Sequence, residues 1–153
     1  MQTDHLVTRT VPGTVAEAAE RLIGSLTRRG IVVFAIIDHA ANARSVGLDL
    51  QDEVVVIFGD PQVGTSLMLE DPAAGIDLPL RMALWDDHGT TKAAYRNPAV
   101  MAEQFNLSGH SGVPQKLAGL LAQLAEELGQ RLSLNTRDSS RSAGAGHDNP
   151  ARS

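Results

Sequence analysis

The chain has 153 residues and a formal net charge of −5. That is length enough for one domain with a core of its own, but too little positive charge for a general nucleic-acid binder, which needs a basic face. No cysteine is present, which excludes disulfides, thiolate metal sites, iron–sulfur clusters and a cysteine nucleophile. No apolar run approaches the roughly 20 residues that span a bilayer, and Met1–His5 lacks the basic start of a signal peptide, so a soluble, cytoplasmic protein without a membrane partner is expected.

Leu6 to Val11 is β-branched and partly alternating, and reads as a first strand. Pro12-Gly13-Thr14 breaks it. Thr14 with Glu17 forms a capping-box pattern, and Val15, Ala19, Leu22 and Leu26 follow at helical spacing. Arg28-Arg29-Gly30 supplies the basic last turn and the stop. Ile31 to Ile37 is apolar without interruption or charge, the pattern of a strand buried on both faces or at the centre of a sheet. Asp38 then caps a short helix that Gly47 stops. Glu53 to Phe58 is a second buried strand. Gly59-Asp60-Pro61 reads as a turn, and Thr65 as the cap of a short helix over Leu67 to Leu69, ended by Asp71-Pro72.

Leu78 to Asp86 and Thr90 to Tyr95 are strands joined by Asp87-His88-Gly89, a hairpin signal because glycine tolerates positive φ. Pro98 opens a short helix, and Asn106 to Gly112 is a polar loop. Pro114 sits in the first turn of a long helix whose seam is Leu117, Leu121, Leu124 and Leu128, with Leu120 beside it. The pattern predicts one domain over residues 1–135 and a disordered polar tail over 136–153. Strands grouped between two helices predict an α+β fold, a mostly antiparallel sheet with helices packed on one face. A βαβ alternation and a GxGxxG are both missing.

Candidate chemistry concentrates at two polar turns. If the strands Ile31–Ile37 and Glu53–Phe58 pair, the Asp38-His39 turn and the Gly59–Thr65 loop are expected to meet at one sheet edge and form a pocket. Asp38, His39, Gly59, Asp60, Gly64, Thr65, Met68 and Asp77 are then its candidate ligand-binding residues. Met68, Met82 and Trp85 are read as core residues that would suit an apolar ligand where they line such a pocket. Asp38 alone is read as an N-cap, and Gly64-Thr65 as a tight connection whose free amides could face an anion. The lysine of a P-loop is absent after Gly64, which removes nucleotide hydrolysis of that type. A catalytic alternative makes His39 a general acid or base with Asp38 or Asp77. A third alternative leaves the motifs as turn-formers in a structural or interaction module. No HxxxH or HxH spacing supports a metal site, and no cofactor is predicted.

Ile37-Asp38-His39-Ala40, Gly47-Leu48, Phe58-Gly59-Asp60-Pro61, Gly64-Thr65, Leu67-Met68 and Asp77-Leu78-Pro79-Leu80 occur in this order. Together they resemble the DUF302 family over roughly Leu6 to Leu132. The resemblance departs at Asp60, where the family favours Asn, and at Gln51-Asp52, where Pro-Thr is common. It implies a compact TT1751-like domain, a TBP-like β-α-β(4)-α arrangement, and a homodimer as partner state. It implies no nucleic-acid binding, since fold alone does not carry function.

Overall fold

A computed structural model describes residues 5–107 and 112–138, with side chains as far as 129. The chain forms β1 (Leu6–Val11), α1 (Val15–Arg28), β2 (Val32–Asp38), α2 (His39–Ser45), β3 (Glu53–Gly59), α3 (Pro61–Glu70), a 3-10 turn (Pro72–Asp77), β4 (Leu80–Asp87), β5 (Thr90–Arg96), α4 (Pro98–Gln104) and α5 (Val113–Asp138). The five strands make one antiparallel sheet in the order β1-β5-β4-β3-β2. This is the α+β architecture expected from strands grouped between two helices.

Local chemistry sets the boundaries. Thr14 Oγ1 accepts from Glu17 N at 3.2 Å and donates to Glu17 Oε1 at 3.1 Å, so the capping pair starts α1. The β4–β5 hairpin turns through His88 at φ 51° and Gly89 at φ 91°. Positive φ at both central residues matches the twist of the flanking strands. Asp86 Oδ1 accepts from Gly89 N at 3.0 Å and holds the turn closed.

The core lies between one face of the sheet and helices α1 and α5. Val56, Phe58, Leu80, Met82, Leu84, Ala93 and Tyr95 alternate along β3, β4 and β5 with residues of the other face, as the pleat requires. They meet Leu22 and Leu26 of α1 and Leu117, Leu121, Leu124 and Leu128 of α5, all buried. Buried Thr91 donates to Gly13 O at 2.6 Å and ties β5 to the loop that enters α1.

Two local expectations are corrected. The Ile31–Ile37 run is neither central nor buried on both faces. It forms edge strand β2, with Val32 43%, Phe34 49% and Ile36 52% exposed. Gly59-Asp60-Pro61 is not a free turn and Thr65 is not a cap. Asp60 Oδ1 accepts from Gln62 N at 2.9 Å, Pro61 occupies the first helical position where its missing N–H costs nothing, and Gly64 and Thr65 lie inside α3. The last helix runs to Asp138, and residues 139–153 of the expected tail lie outside the described residues.

Candidate functional site

A cavity of about 490 Å³ lies between α3, the N-terminal part of α5 and the ends of β2 and β3. That size falls within the range of roughly 300–1,000 Å³ usual for small-molecule sites. The walls are mainly apolar: Phe34 from β2, Val63 and Met68 from α3, Leu78 and Leu80 before and within β4, and Leu117 and Leu120 from α5. Polar groups enter through Asp60, Thr65 and Lys116, all exposed.

Each wall has a sequence-level cause. Pro61 starts α3 directly after β3, so the helix leaves the sheet at the cavity's edge. The Leu78–Pro79 peptide is cis, and both residues line the cavity. At Gly75 an added Cβ would stand 3.1 Å from Met68 Sδ, so the absent side chain lets the thioether lie against the 3-10 turn. On α5, Leu117 belongs to the buried seam, while Val113, Lys116 and Leu120 sit beside it at helical spacing and complete the wall.

The two polar turns expected to form one pocket do not meet. Strands β2 and β3 pair antiparallel, with Val32 opposite Gly59 and Asp38 opposite Val54. The Asp38-His39 turn therefore lies at the far end of the ladder from Gly59, about 20 Å away at about 3.3 Å per residue. A meeting at one edge would have required parallel pairing. Of the expected residues, Gly59, Asp60, Gly64, Thr65 and Met68 line the large cavity. Asp77 instead lines a second cavity of about 100 Å³ with Arg81, Arg96 and Asn97.

Asp38 and His39 line neither cavity. Asp38 Oδ1 accepts from Ala41 N at 2.9 Å and starts α2. His39 is half-buried, and among the described residues its ring makes no hydrogen bond to Asp38 or Asp77. The anion-facing amides expected near Gly64 are not free either, since Gly64 N donates to Asp60 O at 2.9 Å within the helix. No group of three or more His, Asp or Glu side chains among the described residues is placed to hold a metal ion.

The sequence reading missed Phe34, Val63, the Leu78–Leu80 segment and the α5 contributors. The available signal was the width of the α5 stripe: Val113, Leu117 and Leu120 make its first turns apolar over more than one seam.

Comparison with known proteins places this geometry. The family model described as "Domain of unknown function DUF302" matches residues 7–130. The protein named fluoride-specific ion channel FluC 1 of Brucella suis biovar 1 (strain 1330) is 38% identical over 112 residues, 72% of this chain and 44% of that protein. Fluoride-specific ion channel FluC 2 of Brucella melitensis biotype 1 is also 38% identical over 112 residues, 42% of its length. The chain thus spans less than half of the curated relatives it matches. A crystal structure of an uncharacterized conserved protein DUF302 from Bacillus stearothermophilus superposes with a TM-score of 0.75 at 22% identity, covering 82% of this chain and 99% of that one. At that identity the likeness shows the fold.

Proposed function

The chain belongs to the DUF302 family, and on that premise we propose that it is a binding module for a small, mainly apolar ligand held in the large cavity. The observation that supports this reading is a volume of about 490 Å³ with apolar walls and a few polar groups, the usual composition of a ligand site. Asp60, Thr65 and Lys116 would orient the ligand's polar end. Catalysis by His39 gains no support from its position, because His39 stands outside the cavity and carries no bonded carboxylate to orient it.

The channel-named relatives bear on this reading through the part they share. No helix among the described residues is long and apolar enough to cross a membrane, so in such a protein the matched part would serve as an appendage to the pore. Fluoride itself is a poor match for the cavity, since apolar walls cannot replace the hydration shell of a small anion.

A titration with the uncharged fluorescent probe phenylnaphthylamine tests the site. Saturable binding is expected, insensitive to added fluoride, and weakened at least about tenfold by Val63→Trp, which fills the cavity. Probe binding that Val63→Trp leaves unchanged would place the ligand elsewhere and sink the reading.

A second reading, a homodimer paired along β2, is favoured by the free edge of the sheet. Val32 to Ile37 carries no charge and no proline, and among the described residues the outer edge of β2 has no strand beside it. Such an edge is a template for pairing, and two copies meeting along the same edge satisfy a two-fold axis. Light scattering after size exclusion should give twice the chain mass, and Ile36→Lys should give the single mass. A single-mass peak for the unaltered chain removes the dimer.

A further inference from the structure

The chain holds four methionines and no cysteine, so its sulfur chemistry is that of the thioether alone. Three of the four lie among the described residues. Met82 is 0% and Met101 3% exposed, both in the core, whereas Met68 on α3 is 38% exposed and stands outside the core cluster. Met68 also lines the large cavity, which Met82 and Met101 do not. Its side chain runs between two glycines. A Cβ added at Gly64, one helical turn earlier, would stand 4.0 Å from the Met68 methyl carbon, and one added at Gly75 in the 3-10 turn would stand 3.1 Å from Sδ. The thioether therefore forms part of the cavity wall where α3 meets the 3-10 turn.

A thioether in that place is apolar and adaptable, and suits an apolar ligand. A sulfoxide does not, because it sets a polar oxygen on the same sulfur. The close approach to Gly75 leaves little room for another atom on that side, so the open direction for the oxygen is the cavity. There an apolar ligand would cut the oxygen off from water, which is unfavourable unless a donor meets it. We propose that Met68 is a reversible oxidation site that controls the cavity: peroxide converts the thioether to the sulfoxide and so releases an apolar ligand. The Sδ lone pair attacks one peroxide oxygen, the S–O bond forms, the O–O bond breaks, and the departing oxygen leaves as water with both protons. Sulfur is oxidised by two electrons and the peroxide is reduced by two. A dithiol reductase reverses the step, removing the oxygen as water while its two thiols close to a disulfide. This control rests on the ligand reading given above.

Graded hydrogen peroxide on the full chain, followed by peptide mass mapping and phenylnaphthylamine titration, tests it. The mass of one added oxygen is expected at Met68 well before Met82 or Met101, with probe affinity falling at least about tenfold. Methionine sulfoxide reductases acting on both epimers should restore mass and affinity together. The melting temperature should hold, since Met68 lies outside the core. Met68→Gln, polar from the start, should bind the probe weakly without peroxide. Met68→Leu sets its own affinity, and peroxide should leave that value where it is. Oxidation of Met68 with probe affinity unchanged, a loss of affinity that persists in Met68→Leu, or oxygen added to all three methionines at one rate would overturn the proposal. An untreated chain that never binds the probe would fail the ligand reading first and remove the release with it, an outcome distinct from binding that peroxide does not alter.

Discussion

Leu124→Ala is expected to lower the stability of the protein by about 3–5 kcal/mol, whereas Leu120→Ala, one turn away, should cost only about 1 kcal/mol. Leu124 is fully buried where α5 crosses the sheet, so truncation leaves a void lined by rigid neighbours. Leu120 lines the large cavity and is only partly buried against the core. Its removal enlarges a space that exists and removes little protein contact. The pair therefore separates two jobs of one helix. Leu124→Ala should move the urea midpoint at unchanged slope and leave probe affinity intact at temperatures where the chain stays folded. Leu120→Ala should change probe affinity with a small shift in midpoint. Equal stability losses at both positions would mean that the cavity wall is packed core and that the space beside it is not a site.

That division was only half visible in the sequence. The seam Leu117, Leu121, Leu124 and Leu128 follows from helical periodicity, and all four residues are buried. The α1 start, the β4–β5 hairpin and the sheet class follow from similarly local signals: a Thr-Glu cap, a glycine at positive φ, strands without crossover helices. The cavity was less legible because it depends on which elements end side by side. Gly59-Asp60-Pro61 is compatible with a turn and with a helix start. Only the geometry shows that Asp60 caps and Pro61 begins α3.

The error over β2 has a different origin. A charge-free run reports that the side chains avoid water or meet a partner, and it carries no information on which. Ile31–Ile37 reads as a central strand for that reason, yet β2 closes one edge of the sheet with Val32, Phe34 and Ile36 exposed. Its pairing direction was equally hidden. Side-chain alternation is the same in parallel and antiparallel strands, so whether Asp38-His39 lies beside Gly59 or at the opposite end of the ladder had to come from the structure. The residues of the cavity split along that line. Gly59, Asp60, Gly64, Thr65 and Met68 were found, and those brought in by β2, α5 and the Leu78–Leu80 segment were not.

Glu127→Gln is expected to cost about 1–2 kcal/mol at neutral pH and to flatten the acid limb of the stability curve. Glu127 on α5 joins the two helices that cover the sheet. Its Oε2 accepts from buried Ser25 Oγ at 2.8 Å, and its Oε1 from Arg28 at 2.7 Å. Arg29 pairs with Oε2 at 2.8 Å and also donates to Ser25 Oγ. The Ser25 hydrogen bond, with both arginines adding to it against the cost of partial burial, holds the carboxyl at about 2 instead of the ordinary 4.5. A carboxyl lowered in the folded state contributes fully above its unfolded value, and that contribution is lost as pH falls through the folded one. The window is therefore about 4.5 down to about 2. Arg28 is about half exposed, so solvent screening keeps the effect well below what the full shift would give. Thermal unfolding from neutral pH into that window should show the unaltered chain losing melting temperature faster than Glu127→Gln. Ser25→Ala should reproduce part of the effect, since it removes the largest single cause of the shift. Parallel acid limbs for the unaltered chain and Glu127→Gln would show that α1 and α5 are held by their apolar seam alone.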